Sequence, residues 1–302
     1  MDEEIQLSVV IVSFNTKGLL KDCLDSLGRA RDEIPFEVIV VDNASSDGSA
    51  SMVKEDYPSV KLVTNDTNLG FAVGNNKARA YCKGEYVLFL NSDTSIPKST
   101  IGETVKYLKD HPEVGSLTCK LVLPSGKLDL DARRSFITPW IGLTHIFLKL
   151  DRLFPTSKLF GKYWYGYLSP DEVHEVDTIE GAYHLTRKRV LDEVGWFDES
   201  YFLDGEDIDL CWRIHEKGWK IVYYPKVSIV HVKGASKGKQ NSLSKKVPLK
   251  DRIYFRTGGV DSMEIFYRKH LWRKYPDILN YIVILGIKTV KYLRIIKTIF
   301  LG

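Results

Sequence analysis

Two short stretches of this chain put carboxylates where they could do chemistry. The first, "YVLFLNSDTSIP", is a run of β-formers and aliphatic residues that stops on Asn91, Ser92 and Asp93. The second, "GEDIDL", sets Glu206, Asp207 and Asp209 at the start of a helical pattern that ends at Gly218. Acidic residues favour a helix N-terminus, and Asp, Asn and Ser also cap helices and build turns, so a structural role stands beside a functional one for each of them. The position of Asp93 argues for function. In an open α/β sheet, ligands collect in the crevice outside the carboxyl ends of the strands, and polar residues are expected there wherever a site is built. Three other strand ends turn polar in the same way: Ser13 and Asn15 in "VVIVSFN", Asp42 and Asn43 in "VVDNASSDGS", and the segment "VTNDTNLGFAVGNN". Four such ends point to one shared crevice.

The elements that must carry these residues follow from the pattern of the first 120 residues. Apolar runs ("LSVVIVSF", "FEVIVVD", "VKLVT", "EYVLFLN", "VGSLTC") alternate with helix-length segments such as "TKGLLKDCLDSLGRA". Strand and helix in turn predict a parallel sheet covered by helices on both faces, which is why the strands read as unbroken apolar runs. Beyond Cys119 the order loosens until 178–236, where "EDIDLCWRIHEKG" reads as a helix and "WKIVYYPKVSIVHV" as a return to strands. A chain of 302 residues with 44% apolar content can build a full core, as one large α/β domain or a domain plus an appendage. Its four cysteines are far apart with no CxxC pair, which suggests neither a zinc site nor a disulfide framework. The opening "MDEEIQLSVV" is acidic where a secretory signal is basic, so a cytoplasmic location is expected. Charge is divided unevenly: residues 1–232 hold 27 Lys and Arg against 35 Asp and Glu, and residues 233–302 hold 16 against 4. The basic tail is either a solvated appendage or a surface for an anionic partner.

Taken in order, "VVIVSFN", "VIVVDNASSDGS", "NLGFAVGNN", "LFLNSDT", "GWFDESYFLDGEDIDLCWR" and "IVH" resemble a family 2 glycosyltransferase of the GT-A fold, in its rhamnosyltransferase-like branch. The resemblance spans residues 7–236. It implies a nucleotide-diphosphate-sugar donor (dTDP- or UDP-linked), a divalent cation (Mn²⁺ or Mg²⁺), and inverting transfer to an acceptor hydroxyl. It implies that Asp42 binds the base, with Asn43 beside it. Ser13 and Asn15 lie under base and ribose, and Asn68 and Gly70 close over the nucleoside. Asp93 is the last position of the D-x-D metal and diphosphate motif, in which Asn91 replaces the first aspartate and Ser92 is the middle residue. A single aspartate with the donor's own phosphate oxygens suffices for a hard cation. His231 matches the histidine that approaches this metal, though a histidine ending a strand can equally be structural. Direct displacement needs a base for the acceptor proton. Asp207 matches it, Glu206 is its neighbour and the alternative base, otherwise an acceptor contact or helix cap, and Gly181 and Ala182 match the small turn beneath the sugars.

The implied organisation is a GT-A domain over 1–236, with a nucleotide-binding half (1–120) and an acceptor half (121–236), followed by a basic loop and helical extension over 237–302. In the segment just beyond His231, Lys233 and Ser236 are candidates for a lid over the diphosphate. "GASKGK" is not a P-loop, because its glycine spacing is wrong and Gln240 stands where Ser or Thr is needed. The last segment, "DILNYIVILGIKTVKYLRIIKTIFLG", is too interrupted by Lys288, Lys291, Arg294 and Lys297 to span a bilayer. A basic amphipathic helix on an anionic membrane fits it, as does a helix packed on the domain or on a second copy in a homodimer. The expected acceptor is a glycan or a polyprenyl-linked glycan, at the inner face of the membrane, with no nucleic-acid partner. Two competing readings are a nucleotide-sugar-binding protein without turnover, suggested by Asn91, and a nucleotide-dependent oxidoreductase, disfavoured because no GxGxxG follows the first strand.

Overall fold

The computed structural model describes residues 4–30, 34–202, 204–233 and 248–301. The first half alternates as the apolar runs predict: β1 (Leu7–Ser13), α1 (Lys17–Gly28), β2 (Phe36–Asp42), α2 (Ser49–Asp56), β3 (Lys61–Thr64), α3 (Gly70–Ala78) and β4 (Tyr86–Asn91). These four strands are parallel neighbours in the order β3-β2-β1-β4. Every residue of β4 is buried, because helices cover both faces. Register matters for function: Ser13 lies opposite Asp42, and Val12 opposite Asn91, so the polar ends of β1, β2 and β4 form one row.

The sheet continues through β5 (Thr94–Ser95), α4 (Thr100–Asp110), β6 (Val114–Val122), α5 (Pro139–Ile141), a π-helical turn (Gly142–Phe147), α6 (Leu150–Leu153), β7 (His174–Glu175), β8 (Tyr183–Arg187), α7 (Lys188–Val194), α8 (Glu206–Glu216) and β9 (Lys220–His231). Among the described residues nine strands form one sheet, β3-β2-β1-β4-β8-β6-β9-β5, with β7 on β9. Alternation alone would set β6 next to β4; instead β8 runs antiparallel between them. An antiparallel strand begins where its neighbour ends, so the turn Gly181-Ala182 meets the end of β4, and Asn91 N–H donates to the Ala182 carbonyl at 3.3 Å. The segment read as several strands after Trp219 is one, β9, whose register against β6 shifts around Pro225, a residue that cannot donate to the ladder.

The basic extension forms two helices, α9 (Leu249–Phe266) and α10 (Asp277–Leu301). They run antiparallel: Lys291 pairs with Asp261, and Arg252 donates to the Thr298 carbonyl. A second aromatic and aliphatic core of Tyr201, Trp212, Phe266, Tyr267, Leu271 and Ile284 fixes this hairpin to α8. At its centre the fully buried Asp209 accepts from Arg213 Nε (2.7 Å), Lys269 Nζ (2.7 Å) and His270 Nε2 (2.7 Å). Burial would raise this carboxyl, but the His270 hydrogen bond and the Arg213 charge hold it far below the carboxylate range. The packed alternative for the tail is therefore met, yet Leu293, Ile296 and Phe300 of α10 remain 60%, 52% and 77% exposed. No helix among the described residues is long and apolar enough to cross a membrane.

Candidate functional site

The row of strand ends holds the residues read as nucleotide-binding. Asp42 is buried; its Oδ2 accepts from Ser45 N–H at 2.9 Å, and its Oδ1 has no hydrogen-bond partner among the described residues. A buried carboxylate oxygen left unpaired is costly and is ready to accept a ligand N–H. Asn43 is committed to the fold, donating to the Gly70 carbonyl and accepting from Asn65. Asn68 accepts from Gly70 N–H at 2.9 Å, and Gly70 itself has φ +82° with the Phe202 carbonyl 2.6 Å from where a Cβ would stand. Only glycine fits there. Asn15, with φ 54°, accepts from Ser46 N–H at 2.8 Å, so the loops after β1 and β2 are tied together. The Ser13 and Ser92 hydroxyls both turn inward onto Thr16, each at 3.0 Å.

Asp93 and His231 come together through two-residue β5, which sets Thr94 opposite His231 and lets Val232 N–H bond the Asp93 carbonyl. His231 Nε2 lies 3.5 Å from Asp93 Oδ1. Two carboxylates join them that the motifs did not reveal: Asp129 Oδ2 is 2.9 Å from His231 Nδ1, and Glu180 Oε2 is 4.0 Å from it. Ligand atoms of Asp129, Glu180 and His231 all lie within 4.8 Å of one another. Buried oxygens with one imidazole nitrogen are a donor set for a hard divalent cation. Burial would lower the imidazole pKa, but hydrogen bonds to Asp129 and Asp93 outweigh it and raise His231 to about 9. Asp129 is likewise pushed up by burial and, more strongly, down to about 2 by His231 and Lys233. Lys233, the lid candidate, bonds Asp129 and Asp131 beside this cluster. Ser236 lies outside the described residues.

The first turn of α8 presents Glu206 and Asp207, both buried, to the same cleft. Gly205 precedes them with φ +96°. Arg134 Nη2 donates to Asp207 Oδ2 at 2.9 Å, and Arg134 also faces Asp131 at 3.8 Å. Burial opposes the guanidinium charge, but these two carboxylates hold Arg134 firmly protonated. A small cavity of about 100 Å³ is lined by Asn43, Asn68 and Gly70, by Glu180, Gly181, Glu206 and Asp207, and by Asn91. A Cβ on Gly181 would sit 3.1 Å from the Phe71 ring that also borders it. Asn91, Glu206, Asp207, His231 and Lys233 line a second, larger cavity of about 870 Å³. The arrangement can hold an anionic ligand and a cation beside a carboxylate able to accept a proton.

Residues 8–194 match the family described as Glycosyl transferase family 2. Over 244 residues the chain is 29% identical to N-acetylglucosaminyl-diphospho-decaprenol L-rhamnosyltransferase of Mycobacterium tuberculosis (strain ATCC 25618 / H37Rv), covering 77% of this chain and 78% of that protein. Over 231 residues it is 26% identical to rhamnosyltransferase WbbL of Escherichia coli (strain K12), covering 74% and 82% respectively. Among solved structures, mannosyltransferase PcManGT from Pyrobaculum calidifontis, in complex with GDP-Man and Mn²⁺, is similar in fold, with a TM-score of 0.54 at 18% identity over 99% of this chain and 88% of that one.

Proposed function

Because the chain belongs to glycosyl transferase family 2 and is thus a glycosyltransferase, we propose that it moves a sugar from a nucleotide diphosphate to an acceptor hydroxyl, with inversion. The observation that carries this reading is the small cavity in which Asn43, Asn68 and Gly70 share walls with Glu180, Glu206 and Asp207. A donor bound along the strand ends would set its sugar against α8. The open Oδ1 of Asp42 supports a base N–H contact, which uracil and thymine both offer. L-rhamnose is the favoured sugar, in keeping with the names of the two relatives, with dTDP-rhamnose as its donor and UDP-hexoses as the alternative.

Asp93, Asp129, Glu180 and His231 would hold the divalent cation, Mn²⁺ or Mg²⁺. Such an ion neutralises the charge that develops on a departing diphosphate. Asp207 takes the proton of the acceptor hydroxyl, and Arg134 orients it. Glu206 contacts the acceptor, while Gly181 and Ala182 leave room for the sugars. Lys233 joins the diphosphate side. Residues 1–120 act as the nucleotide half, 121–236 as the acceptor half and 237–302 as an extension that meets an anionic membrane surface through the exposed row of α10. The ion pair between Arg134 and Asp207 favours a second reading, a nucleotide-sugar binder without turnover, because it engages one oxygen of the base.

A panel of dTDP-, UDP- and GDP-sugars, read first by thermal shift with and without Mn²⁺ and then by transfer and hydrolysis, tests both readings. Stabilisation with turnover supports the first reading, and stabilisation without turnover supports the second. Stabilisation by none of the panel overturns both.

A further inference from the structure

The larger cavity, about 870 Å³, is apolar along most of its length and polar at one end. Its body lies between the turn that contains Ile146 and Phe147, the α9 face that carries Val260 and Met263, and the α10 face that carries Val283 and Ile287. Its polar end is the catalytic cleft itself, where Asn91, Glu206 and Asp207 line the same space. Walls of Ile, Val, Met and Phe offer no partners to sugar hydroxyls, whose burial without hydrogen bonds is unfavourable. They suit a hydrocarbon chain. Ligand sites of this kind are mostly apolar with a few polar groups at the reacting end, and about 300–1,000 Å³ is their usual size.

Two further features narrow the occupant. Phe147 and Leu285 line the cavity and are also 48% and 67% exposed, so its rim is apolar and opens sideways to the surface. Gly286 keeps that passage wide: a Cβ there would stand 3.2 Å from the Phe147 ring. The polar end holds Asp131, Glu180, Glu206 and Asp207 as well as Arg134 and Lys233, and these two cations are paired with carboxylates there. An apolar tail entering at the rim therefore leads to a polar head at this end and a sugar at Asp207.

We infer that this cavity is the binding site for the hydrocarbon chain of the acceptor, an amphiphile whose sugar is presented to Asp207. The inference rests on the proposed role of Asp207 for the meaning of the site, but its test does not require turnover. The site joins the hairpin α9–α10 to the reaction, so that the basic extension forms part of the acceptor pocket.

The experiment is calorimetric titration of the full chain with monoalkyl phosphates of increasing chain length, kept below their micelle concentrations. Affinity should rise with each added methylene, by up to roughly fourfold where the methylene is fully buried. Gly286→Leu, which replaces a helical glycine and fills the passage from α10, should weaken the longest probe by about tenfold, the share of roughly two methylenes. Met263→Trp should do the same from α9, and nucleotide-diphosphate affinity should not change in either variant. Affinity independent of chain length overturns the inference. So does a steep dependence that neither variant disturbs, because the chain would then lie on the exposed face of α10. If Asp207→Asn leaves transfer intact while the probes and variants behave as expected, the catalytic reading fails and the chain site stands.

Discussion

The half-buried Arg134 and the buried Asp207 form an ion pair, with Nη2 to Oδ2 at 2.9 Å, and Asp207 lines both the small and the large cavity. The pair fixes one carboxylate oxygen; the other accepts from Ile208 N–H at 2.8 Å in the first turn of α8. Asp207 is thus oriented by both partners, which suits the proposed role of general base. Asp207→Asn should lower transfer at saturating donor by about 10²- to 10⁴-fold with little change in donor affinity, and Glu206→Gln should be milder. Equal rates for Asp207→Asn and the parent chain would sink the assignment. Arg134→Met strands a buried carboxylate and should cost about 3–5 kcal/mol of folding stability in urea titrations.

The second prediction concerns the cation. Asp93→Ala should abolish the part of nucleotide-diphosphate affinity that a chelator removes from the parent chain. Asp129→Asn, which removes one proposed ligand and alters the partner of His231, should weaken that part by at least the roughly 10- to 100-fold that loss of an outer partner costs. Titrations with Mn²⁺ and with chelator give both numbers, and an unchanged metal dependence in folded Asp93→Ala would remove the residue from the site.

Nucleotide recognition is tested at Asp42. Hydrogen bonds to charged groups contribute about 1.5–3 kcal/mol, so Asp42→Ala should weaken UDP and dTDP by about 10- to 100-fold. Loss of only one of the two would identify the base. Loss of neither would return Asp42 to the structural role of holding Ser45.

The fourth prediction is a pH dependence set by His184, which is fully buried on β8 against the edge of Phe89, with neither ring nitrogen hydrogen-bonded among the described residues. Burial lowers its pKa from 6.5 to about 3. Between those values the unfolded chain takes up a proton that the folded chain refuses, so acid favours unfolding and stability rises with pH. His184→Leu should remove this component. The stability difference between the two chains should change by up to ~1.4 kcal/mol per pH unit below 6.5 and level off above it. Parallel stability profiles would show that the ring is solvated.

Membrane association is read from the outer face of α10. Replacing Leu293, Ile296 and Phe300 together by serine removes exposed apolar surface without touching the cavity lining. Flotation with anionic liposomes should fall, and neutral liposomes should bind the parent chain less well, because each basic residue near an anionic leaflet contributes about 1 kcal/mol. Equal flotation of variant and parent would assign the face to another partner. Deleting α10 outright is a poorer test, since it also removes a wall of the cavity.

Much of the site was legible because short-range rules create it. Strands buried on both faces end abruptly, and a parallel register aligns those ends, so Ser13, Asp42 and Asn91 could be placed in one row before any coordinates. Asp129, Glu180 and Arg134 were not legible in this way. Asp129 sits in "KLDLDARR", where alternating charge looks like a solvated surface, and it reaches His231 across 102 residues because β6 and β9 pair. Glu180 stands directly before Gly181, yet only the insertion of β8 between β4 and β6 turns that segment toward β4. Long-range pairing of this kind leaves no periodic trace in the chain. The tail was ambiguous for a different reason: α10 is apolar on one side toward α9 and on another toward solvent, so packing and exposure leave the same composition.

Asp209 stands two residues beyond Asp207 on α8, clamped by Arg213 of its own helix and by Lys269 and His270 of the following hairpin. The hairpin is thus a splint for the catalytic helix rather than an appendage hung from it. Asp209 lies about half a helical turn from Asp207, so the contacts that anchor the hairpin and the carboxylate that lines the cleft share one turn of α8.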